Sequence, residues 1–80
     1  MALIVFSGPL EELTGQKKFV SKSLRFRELL DELVIEFSSL DLKVLTDMAV
    51  AIDGEIIHTP YLETFTEGSE IHFIHKISGG

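Results

Sequence analysis

One apolar stripe with the period of an α-helix constrains the fold of this chain more than any other sequence feature. Between residues 26 and 37, apolar side chains recur at the spacing of a single helix face: Phe26, Leu29, Leu30, Leu33, Val34 and Phe37. Charged residues fill the opposite side of this segment, and Ser23 is a candidate N-cap just before it. No other segment predicts so clear a helix. Because a single amphipathic helix covers one face of a sheet, we predict a two-layer α+β sandwich.

Shorter β-rich segments surround this helix. We predict strands over Ala2–Phe6, Lys17–Ser21, Met48–Ile52, Glu55–His58 and Glu70–Ile77. The dipeptide Asp53-Gly54 has the composition of a two-residue hairpin turn between the third and fourth of these strands. We expect Leu10–Gly15 to be a connecting loop with room for one helical turn, and Leu40–Thr46 is a connection without an assigned structure. The predicted order is therefore β-β-α-β-β-β.

The first strand is apolar on both of its faces. Leu3 and Val5 alternate with Ile4 and Phe6, so burying one pair against the helix leaves the other pair on the far face. An uncovered apolar sheet face on a small protein is a candidate partner site. The alternative is that the connection at Leu40–Leu45 folds over this second face.

Composition limits what the chain does. Its 80 residues suit one domain, over residues 1–80, and the absence of cysteine excludes disulfides, thiolate metal sites and cysteine nucleophiles. The longest apolar run, Ala2–Phe6, is too short to span a membrane, so we expect a cytoplasmic protein without a membrane partner. A net charge of −6 argues against nucleic acid as a partner and favours a protein with a basic docking surface.

The sequence offers no convincing metal or catalytic site. His72 and His75 are three positions apart on a predicted strand, so they point to opposite faces, and His58 has no further ligand at a recognisable spacing. No nucleophile elbow and no glycine-rich phosphate loop is present. We therefore expect no bound cofactor, no metal and no intrinsic active site.

The carboxyl-terminal segment Ser78–Gly80 is the remaining candidate. It follows the last predicted strand directly, and a glycine pair at a given place is uncommon. Gly79 and Gly80 lack Cβ atoms, which allows the backbone to enter a narrow channel. If a partner adenylates the terminal carboxylate, sulfur or an amine can attack the unhindered carbonyl. The alternative is a frayed tail or an expression remnant.

The chain resembles ubiquitin and, more widely, the small sulfur carriers related to it. Residues 69–80, SEIHFIHKISGG, are similar without gaps to the end of ubiquitin. The pattern Ile52-Asp53-Gly54-Glu55, the segment Glu67–Ile71 and the terminal Gly-Gly resemble the small subunit of molybdopterin synthase, as do Val5–Ser7 and Leu10–Gly15. That family commonly has Pro-Pro in place of His75-Lys76 and often an arginine in place of Glu11. These two differences count against the molybdopterin pathway relative to other sulfur pathways and leave the carrier chemistry unaffected.

The resemblance implies a ubiquitin-like β-grasp fold, with a mixed sheet and one main helix on one face. It also implies that a ubiquitin-activating-type adenylyltransferase uses ATP to adenylate Gly80, which becomes a thiocarboxylate with sulfur from a sulfurtransferase. The thiocarboxylate donates that sulfur inside the large subunit of molybdopterin synthase, which makes this chain a non-catalytic sulfur-donor subunit. Gly79, Ser78 and Ile77 would contact the partner, and strand alternation adds Ile74 at the suspected apolar face.

Other functions stay open at this point. Relatives of the same general type include the ubiquitin-related modifiers, which carry sulfur for transfer RNA thiolation or are conjugated to lysines, and the thiamine-type sulfur carriers. A ubiquitin-like module that only binds its partners, with an idle tail, is a third class. The sequence does not name the sulfur acceptor, because the acceptor's pocket lies on another chain.

Overall fold

A computed structural model describes residues 1–74 of the chain. Five strands, three α-helices and one 3-10 turn follow one another along these residues. In chain order they are β1 (Ala2–Val5), α1 (Pro9–Thr14), β2 (Lys18–Ser21), α2 (Phe26–Glu36), α3 (Leu42–Thr46), β3 (Ala49–Ile52), β4 (Glu55–Ile57), the 3-10 turn (Pro60–Leu62) and β5 (Glu70–Ile74). Among residues 1–74, no helix is both long and apolar enough to cross a membrane.

The strands form one mixed sheet in the order β2-β1-β5-β3-β4. β1 and β5 are parallel, whereas the β1–β2, β3–β5 and β3–β4 pairs are antiparallel. The last strand therefore lies in the middle of the sheet, with β1 on one side and β3 on the other. This architecture confirms the predicted α+β class and its mixed sheet.

The core lies between one face of the sheet and α2. Four of the six stripe residues of this helix are at most 1% exposed, namely Phe26, Leu29, Leu30 and Leu33. Ile4 of β1, Val50 of β3 and the β5 residues Ile71 and Phe73 pack in the same cluster. The predicted stripe and its burial against the sheet are confirmed.

The connection at residues 40–46 packs on this same core. α3 begins after Asp41, whose Oδ1 accepts a hydrogen bond of 3.0 Å from the Lys43 backbone N–H and so caps the helix. Leu40 and Leu45 are buried together with the α2 residues. The alternative in which this connection covers the second sheet face is therefore wrong.

The segment Leu10–Gly15, expected as a connecting loop with room for one helical turn, belongs to a six-residue helix and its C-cap. Pro9 occupies the first turn of α1, where its missing N–H costs nothing, and Glu11 and Glu12 lie at the positive end of the helix dipole. Gly15 closes the helix in the left-handed conformation, with φ of 71°. Burial of Leu10 in the core fixes the helix in place. The expected count of one helix is accordingly wrong, although α2 is the main one.

Ser23 does not cap α2, so the predicted N-cap is wrong. The N-cap position is Arg25, in an extended conformation and without a side-chain hydrogen bond. The Ser23 Oγ instead donates to Oε1 of Glu32, 2.9 Å away. The start of α2 is held by the backbone, since the Phe26 N–H donates to the Glu63 carbonyl at 3.0 Å.

The β3–β4 hairpin turns at Asp53-Gly54, as the sequence predicts. Both residues have positive φ, 50° for Asp53 and 89° for Gly54, which suits a two-residue turn that follows the twist of the strands. β5 begins at Glu70 as predicted and is described as far as Ile74. The rest of the predicted strand, residues 75–77, lies outside the described part of the chain.

Candidate functional site: the open sheet face and the carboxyl terminus

The sheet face turned away from the helices, called the open face below, carries apolar side chains. Strand register places Val5, His72, Ala51 and Ile56 in one row across β1, β5, β3 and β4. Leu3 and Val20 are partners in the next row. We define the open face as Leu3, Val5, Val20, Ala51, Ile56, His72 and Ile74.

The exposure of these side chains agrees with an uncovered surface. Ile56 is 59% exposed and Val20 is 55% exposed, while the others are half-buried. The cause is the alternation in β1: its even-numbered residues, Ala2 and Ile4, are buried in the core, so Leu3 and Val5 lie on the other face. The sequence expectation of an apolar face without cover is confirmed for residues 1–74.

His72 lies at the centre of the open face. Its Cα partners are Val5 on β1 and Ala51 on β3, and its Nε2 is 2.7 Å from Oε1 of Glu70. The buried neighbours Ile71 and Phe73 confirm the predicted alternation along β5. Among residues 1–74, no three side chains of the metal-binding types converge on one point. His75 lies outside these residues, so the expectation of no metal site stays a prediction.

Carboxylates form one edge of this surface. The Asp53 Oδ1 accepts a hydrogen bond of 2.8 Å from the Glu70 backbone N–H, and the Asp53 N–H donates to the Glu70 carbonyl at 2.9 Å. Both residues line a shallow depression that His72 and Ile74 also line. An apolar area beside acidic groups suits a partner surface that is apolar at its centre and basic at its edge.

The described part of β5 ends on this same face. Ile74 is the last described residue of β5 and is half-buried beside Ala49, its Cα partner. The other predicted site residues, Ile77, Ser78, Gly79 and Gly80, lie outside the described residues, as does His75-Lys76. Their predicted roles stay predictions. The described end of β5, Ile74, lies on the open face because it is two positions beyond His72 on the same strand.

Two contacts were not predicted from the sequence: the hydrogen bond between the Glu70 and His72 side chains, and the hydrogen bonds between Asp53 and Glu70. The i, i+2 spacing on a strand places Glu70 and His72 on the same face, which is a usable signal for the first of these contacts. The second contact depends on β3 and β5 being neighbours. No local pattern predicts that arrangement.

Comparison with known proteins decides the family. Residues 4–80, nearly the whole chain and including the terminal glycines, match the model of the ThiS family. The chain belongs to the ThiS family. No curated protein sequence matches it.

Three solved structures similar to this ThiS family member have the same ubiquitin-like β-grasp fold. SAMP1 from Haloferax volcanii gives a TM-score of 0.73 at 22% identity, covering 99% of this chain and 98% of that one. The HVO 2177 protein of the same organism gives 0.74 at 16% identity, covering 99% and 85%. The putative molybdopterin converting factor, subunit 1, from Pyrococcus furiosus gives 0.72 at 14% identity, covering 95% and 97%.

These likenesses show the fold. The chain has the β-grasp architecture of the ThiS-type sulfur carriers, which confirms the fold class predicted above. Because all three structures are under 25% identical, they do not separate one sulfur pathway from another.

Proposed function

We propose that this protein carries sulfur as a thiocarboxylate on Gly80. The observation that carries the proposal is the ThiS family match, which extends through the terminal Gly79-Gly80. A ubiquitin-activating-type adenylyltransferase would bind ATP, and the Gly80 carboxylate would attack the α-phosphorus and release pyrophosphate. A persulfide on the sulfurtransferase would then displace AMP and form an acyl disulfide. A thiol would attack the sulfur that belongs to the sulfurtransferase, which leaves the thiocarboxylate on Gly80 and a new disulfide between the thiol and the sulfurtransferase. Because this activation uses ATP, we assign the reaction to the cytoplasm.

The chain itself would hold no cofactor and supply no catalytic side chain. Its contribution is a terminal carbonyl without a neighbouring Cβ atom, which a nucleophile approaches from either side. Gly79, Ser78 and Ile77 would occupy the channel of the partner, so the groups that perform the chemistry belong to that partner.

The pathway we propose is molybdenum cofactor biosynthesis, with this chain as the small subunit of molybdopterin synthase. The sequence patterns around Asp53-Gly54 and Glu67–Ile71 support this assignment. So does the fold shared with a protein described as a putative molybdopterin converting factor subunit. The large subunit of the synthase would then be the partner that receives the sulfur. The fold shared with SAMP1 fits the alternatives equally well, namely a ubiquitin-related modifier or a thiamine-type carrier.

We further propose that the open face is the surface by which these partners hold the chain. Val20 and Ile56 on this face are more than half exposed, and Ile74, on the same face, is the described residue nearest in sequence to the carboxyl terminus. Burial of Val20, Ile56 and Ile74 by a partner would supply binding free energy without contacts to the tail itself. The tail would then be free to enter the active site.

The deciding experiment is the intact mass of the full chain after incubation with the host's adenylyltransferase, ATP and a sulfur donor. We expect a mass change of one oxygen-to-sulfur exchange, localised to Gly80. A variant lacking Gly80 is expected to remain unmodified while unfolding at the same temperature as the full chain. An unmodified full chain, with the enzyme shown to be active on another carrier, would refute the proposal.

A second experiment separates the pathways. The thiocarboxylated chain is mixed with the large subunit of molybdopterin synthase and its pterin precursor, and sulfur transfer is followed by mass. Transfer supports the molybdopterin assignment. Conjugates to lysines that disappear without Gly80 would instead identify a covalent modifier.

A further inference from the structure

His72 is the one polar residue among those that define the open face, and it lies near their centre. Strand register places it between Val5 on β1 and Ala51 on β3. Ile74, two positions further along β5, continues the same face. The imidazole ring therefore has apolar neighbours on three sides. A partner that covers the centre of the open face must also cover this ring.

The ring of His72 is held from its fourth side by Glu70. The imidazole Nε2 is 2.7 Å from Oε1 of Glu70, which lies two positions earlier on the same strand. Glu70 is itself joined through its backbone to Asp53 by two hydrogen bonds. Because a carboxylate only accepts hydrogen bonds, the proton of the neutral imidazole lies on Nε2. The other ring nitrogen, Nδ1, is then an acceptor.

Within residues 1–74, Nδ1 of His72 has no hydrogen-bond partner. The His72 side chain is 44% exposed, so water can bond to Nδ1 in the free chain, and docking removes that water. An acceptor that is buried without a donor weakens association between about fivefold and a hundredfold. The apolar part of the open face accepts any apolar surface of matching shape. Discrimination between partners at the centre of this face therefore depends on Nδ1.

We propose that His72 is a specificity-determining residue of the open face, which accepts partners that present an N–H or O–H donor to Nδ1. The inference deepens the proposed function and rests on it, because it takes the open face as the docking surface. A partner of this class has an apolar contact area with a hydrogen-bond donor at its centre. That donor would be buried unpaired if Nδ1 were removed, so an apolar replacement of His72 weakens docking.

The test compares the original chain with His72→Asn, His72→Gln and His72→Leu as substrates of the host's adenylyltransferase. Pyrophosphate release gives kcat and KM at about pH 8, where an imidazole is ordinarily neutral. The asparagine side chain ends at the position of Nδ1 and keeps an acceptor oxygen there. Leucine has the same branched shape without the oxygen. Glutamine is one methylene longer, so its amide corresponds to Nε2 and leaves no acceptor at the position of Nδ1.

We expect KM to rise about tenfold for His72→Leu and for His72→Gln, and less than about threefold for His72→Asn. The loss is expected in KM rather than in kcat, because the ring lies on the docking surface and not at the reacting carboxylate. Since asparagine and leucine have the same shape, the difference between those two variants measures the effect of the acceptor. The unfolding temperature of each variant, measured alongside, shows that the fold is intact.

An NMR measurement tests the hydrogen bond to Nδ1 directly. In a full chain whose histidines are labelled with nitrogen-15, the ring signals of His72 are identified by their absence from the spectrum of His72→Asn. Addition of the adenylyltransferase is expected to move the Nδ1 signal toward the position of a nitrogen that accepts a hydrogen bond. The Nε2 signal is expected to stay that of a protonated nitrogen, because Glu70 still accepts from it.

Several outcomes would overturn the inference. Equal KM values for His72→Asn and His72→Leu would show that an acceptor at this position does not matter, and an unchanged Nδ1 signal in the complex would show that no donor reaches it. If all three variants react like the original chain, the inference fails while the sulfur-carrier proposal stands. If the original chain is not adenylated by an enzyme shown to be active on another carrier, the proposed function fails and the inference fails with it.

Discussion

Glu32 shows how a single side chain joins two elements of this fold. Its carboxylate accepts hydrogen bonds from the Ser21 and Ser23 hydroxyls, at 2.5 and 2.9 Å, and from the Lys22 backbone N–H at 3.3 Å. Partial burial by itself raises the pKa of the Glu32 carboxyl, but these hydrogen bonds outweigh it and hold the pKa below its ordinary value. The carboxylate therefore ties the end of β2 to the middle of α2.

The first prediction concerns Glu32→Gln. Because the folded-state pKa is lowered, the ionised carboxylate stabilises the fold above the unfolded-state pKa, and this contribution disappears as the pH falls through the folded-state pKa. Near neutral pH we expect a loss of about 1–2 kcal/mol in the free energy of unfolding. The difference in unfolding free energy between the variant and the original chain should become smaller at acid pH. Urea denaturation at several pH values measures it.

Glu36→Gln is the matched control for this prediction. Glu36 lies on the same helix, is exposed and forms no ion pair among the described residues. Its replacement is expected to change stability by less than about 0.5 kcal/mol. If the difference in unfolding free energy between Glu32→Gln and the original chain stays constant from neutral to acid pH, the role assigned to the Glu32 charge is contradicted.

At the scale of elements, the Asp53-Gly54 turn connects three strands. It closes the β3–β4 hairpin, and Asp53 also forms two hydrogen bonds with Glu70 at the start of β5. Position 53 therefore requires a residue that adopts a positive φ and that carries an acceptor oxygen on a short side chain. Aspartate and asparagine meet both of them.

The second prediction follows from these two requirements. Asp53→Ala loses the acceptor for the Glu70 N–H and places an ordinary residue at φ of 50°, so we expect a loss of about 1–2 kcal/mol in unfolding free energy. Asp53→Asn keeps both features and should lose far less. Chemical denaturation of the two variants measures the difference. Equal losses would assign the effect to the charge of Asp53 rather than to its geometry.

The third prediction concerns α2, whose two sides differ sharply. Leu33 is fully buried, and Leu33→Ala is expected to cost about 2–5 kcal/mol, a large part of the stability of an 80-residue domain. Ile35 is 84% exposed on the same helix, and Ile35→Ala is expected to change stability by less than about 0.5 kcal/mol. Urea denaturation gives both values. Similar losses in the two variants would contradict the conclusion that burial of Leu33 sets the stability of α2, because alanine has the higher helix propensity at both positions.

The elements that the sequence predicted correctly are those with a strong local signal. The α2 stripe, the alternation in β1 and the Asp-Gly turn each follow from a repeat or a dipeptide. For α1 the sequence indicated a loop with room for no more than one helical turn, because six residues are too few to show a period and the helix is stabilised by burial of Leu10. Ser23 has good capping chemistry, but its hydroxyl meets Glu32, nine positions along the chain, a contact made only once β2 packs beside α2.

The candidate site could be predicted to a similar extent. Alternation along β1 and β5 correctly placed an apolar face with His72 and Ile74 on it. The contact between Arg27 and Tyr61 was not predicted, because it depends on residues 60–65 folding back against the start of α2. Such a contact joins segments that are separated in sequence by α2, α3 and a hairpin.

At the scale of the whole molecule, the sheet separates a covered core from an exposed apolar face. The fourth prediction tests whether that face docks the adenylyltransferase. Ile56→Lys is expected to lower kcat/KM for adenylation of the chain about tenfold or more, since it replaces an apolar contact with a charge facing a basic partner. Ile35→Lys makes the same change on the helix side and should leave the rate unaltered.

Adenylation in this fourth experiment is followed by pyrophosphate release, with the unfolding temperature of each variant measured alongside. Ile56 and Ile35 are both more than half exposed, so neither substitution is expected to unfold the chain. If both variants react as fast as the original chain, the open face is not the docking surface, whereas the thiocarboxylate chemistry of Gly80 would be unaffected by that result.

The fifth prediction concerns how the net charge of −6 affects association with a partner. Association with a basic partner surface is steered by long-range attraction, which salt screens over about 10 Å at 0.1 M. We expect the association rate with the adenylyltransferase to fall about tenfold between low salt and about 0.5 M sodium chloride. Stopped-flow measurement gives this rate, and a rate independent of salt would exclude a basic docking surface.

The middle position of β5 also determines how the molecule resists force. β1 and β5 run parallel, side by side, so tension between the amino terminus and the end of β5 loads their ladder of hydrogen bonds in shear. β5 is also hydrogen-bonded to β3. A force applied at the carboxyl-terminal end of β5 must therefore break the hydrogen bonds to both neighbouring strands together, whereas an edge strand can separate one hydrogen bond at a time. We therefore expect the part of the sheet around β5 to yield last when force is applied at Ile74, the described end of this strand.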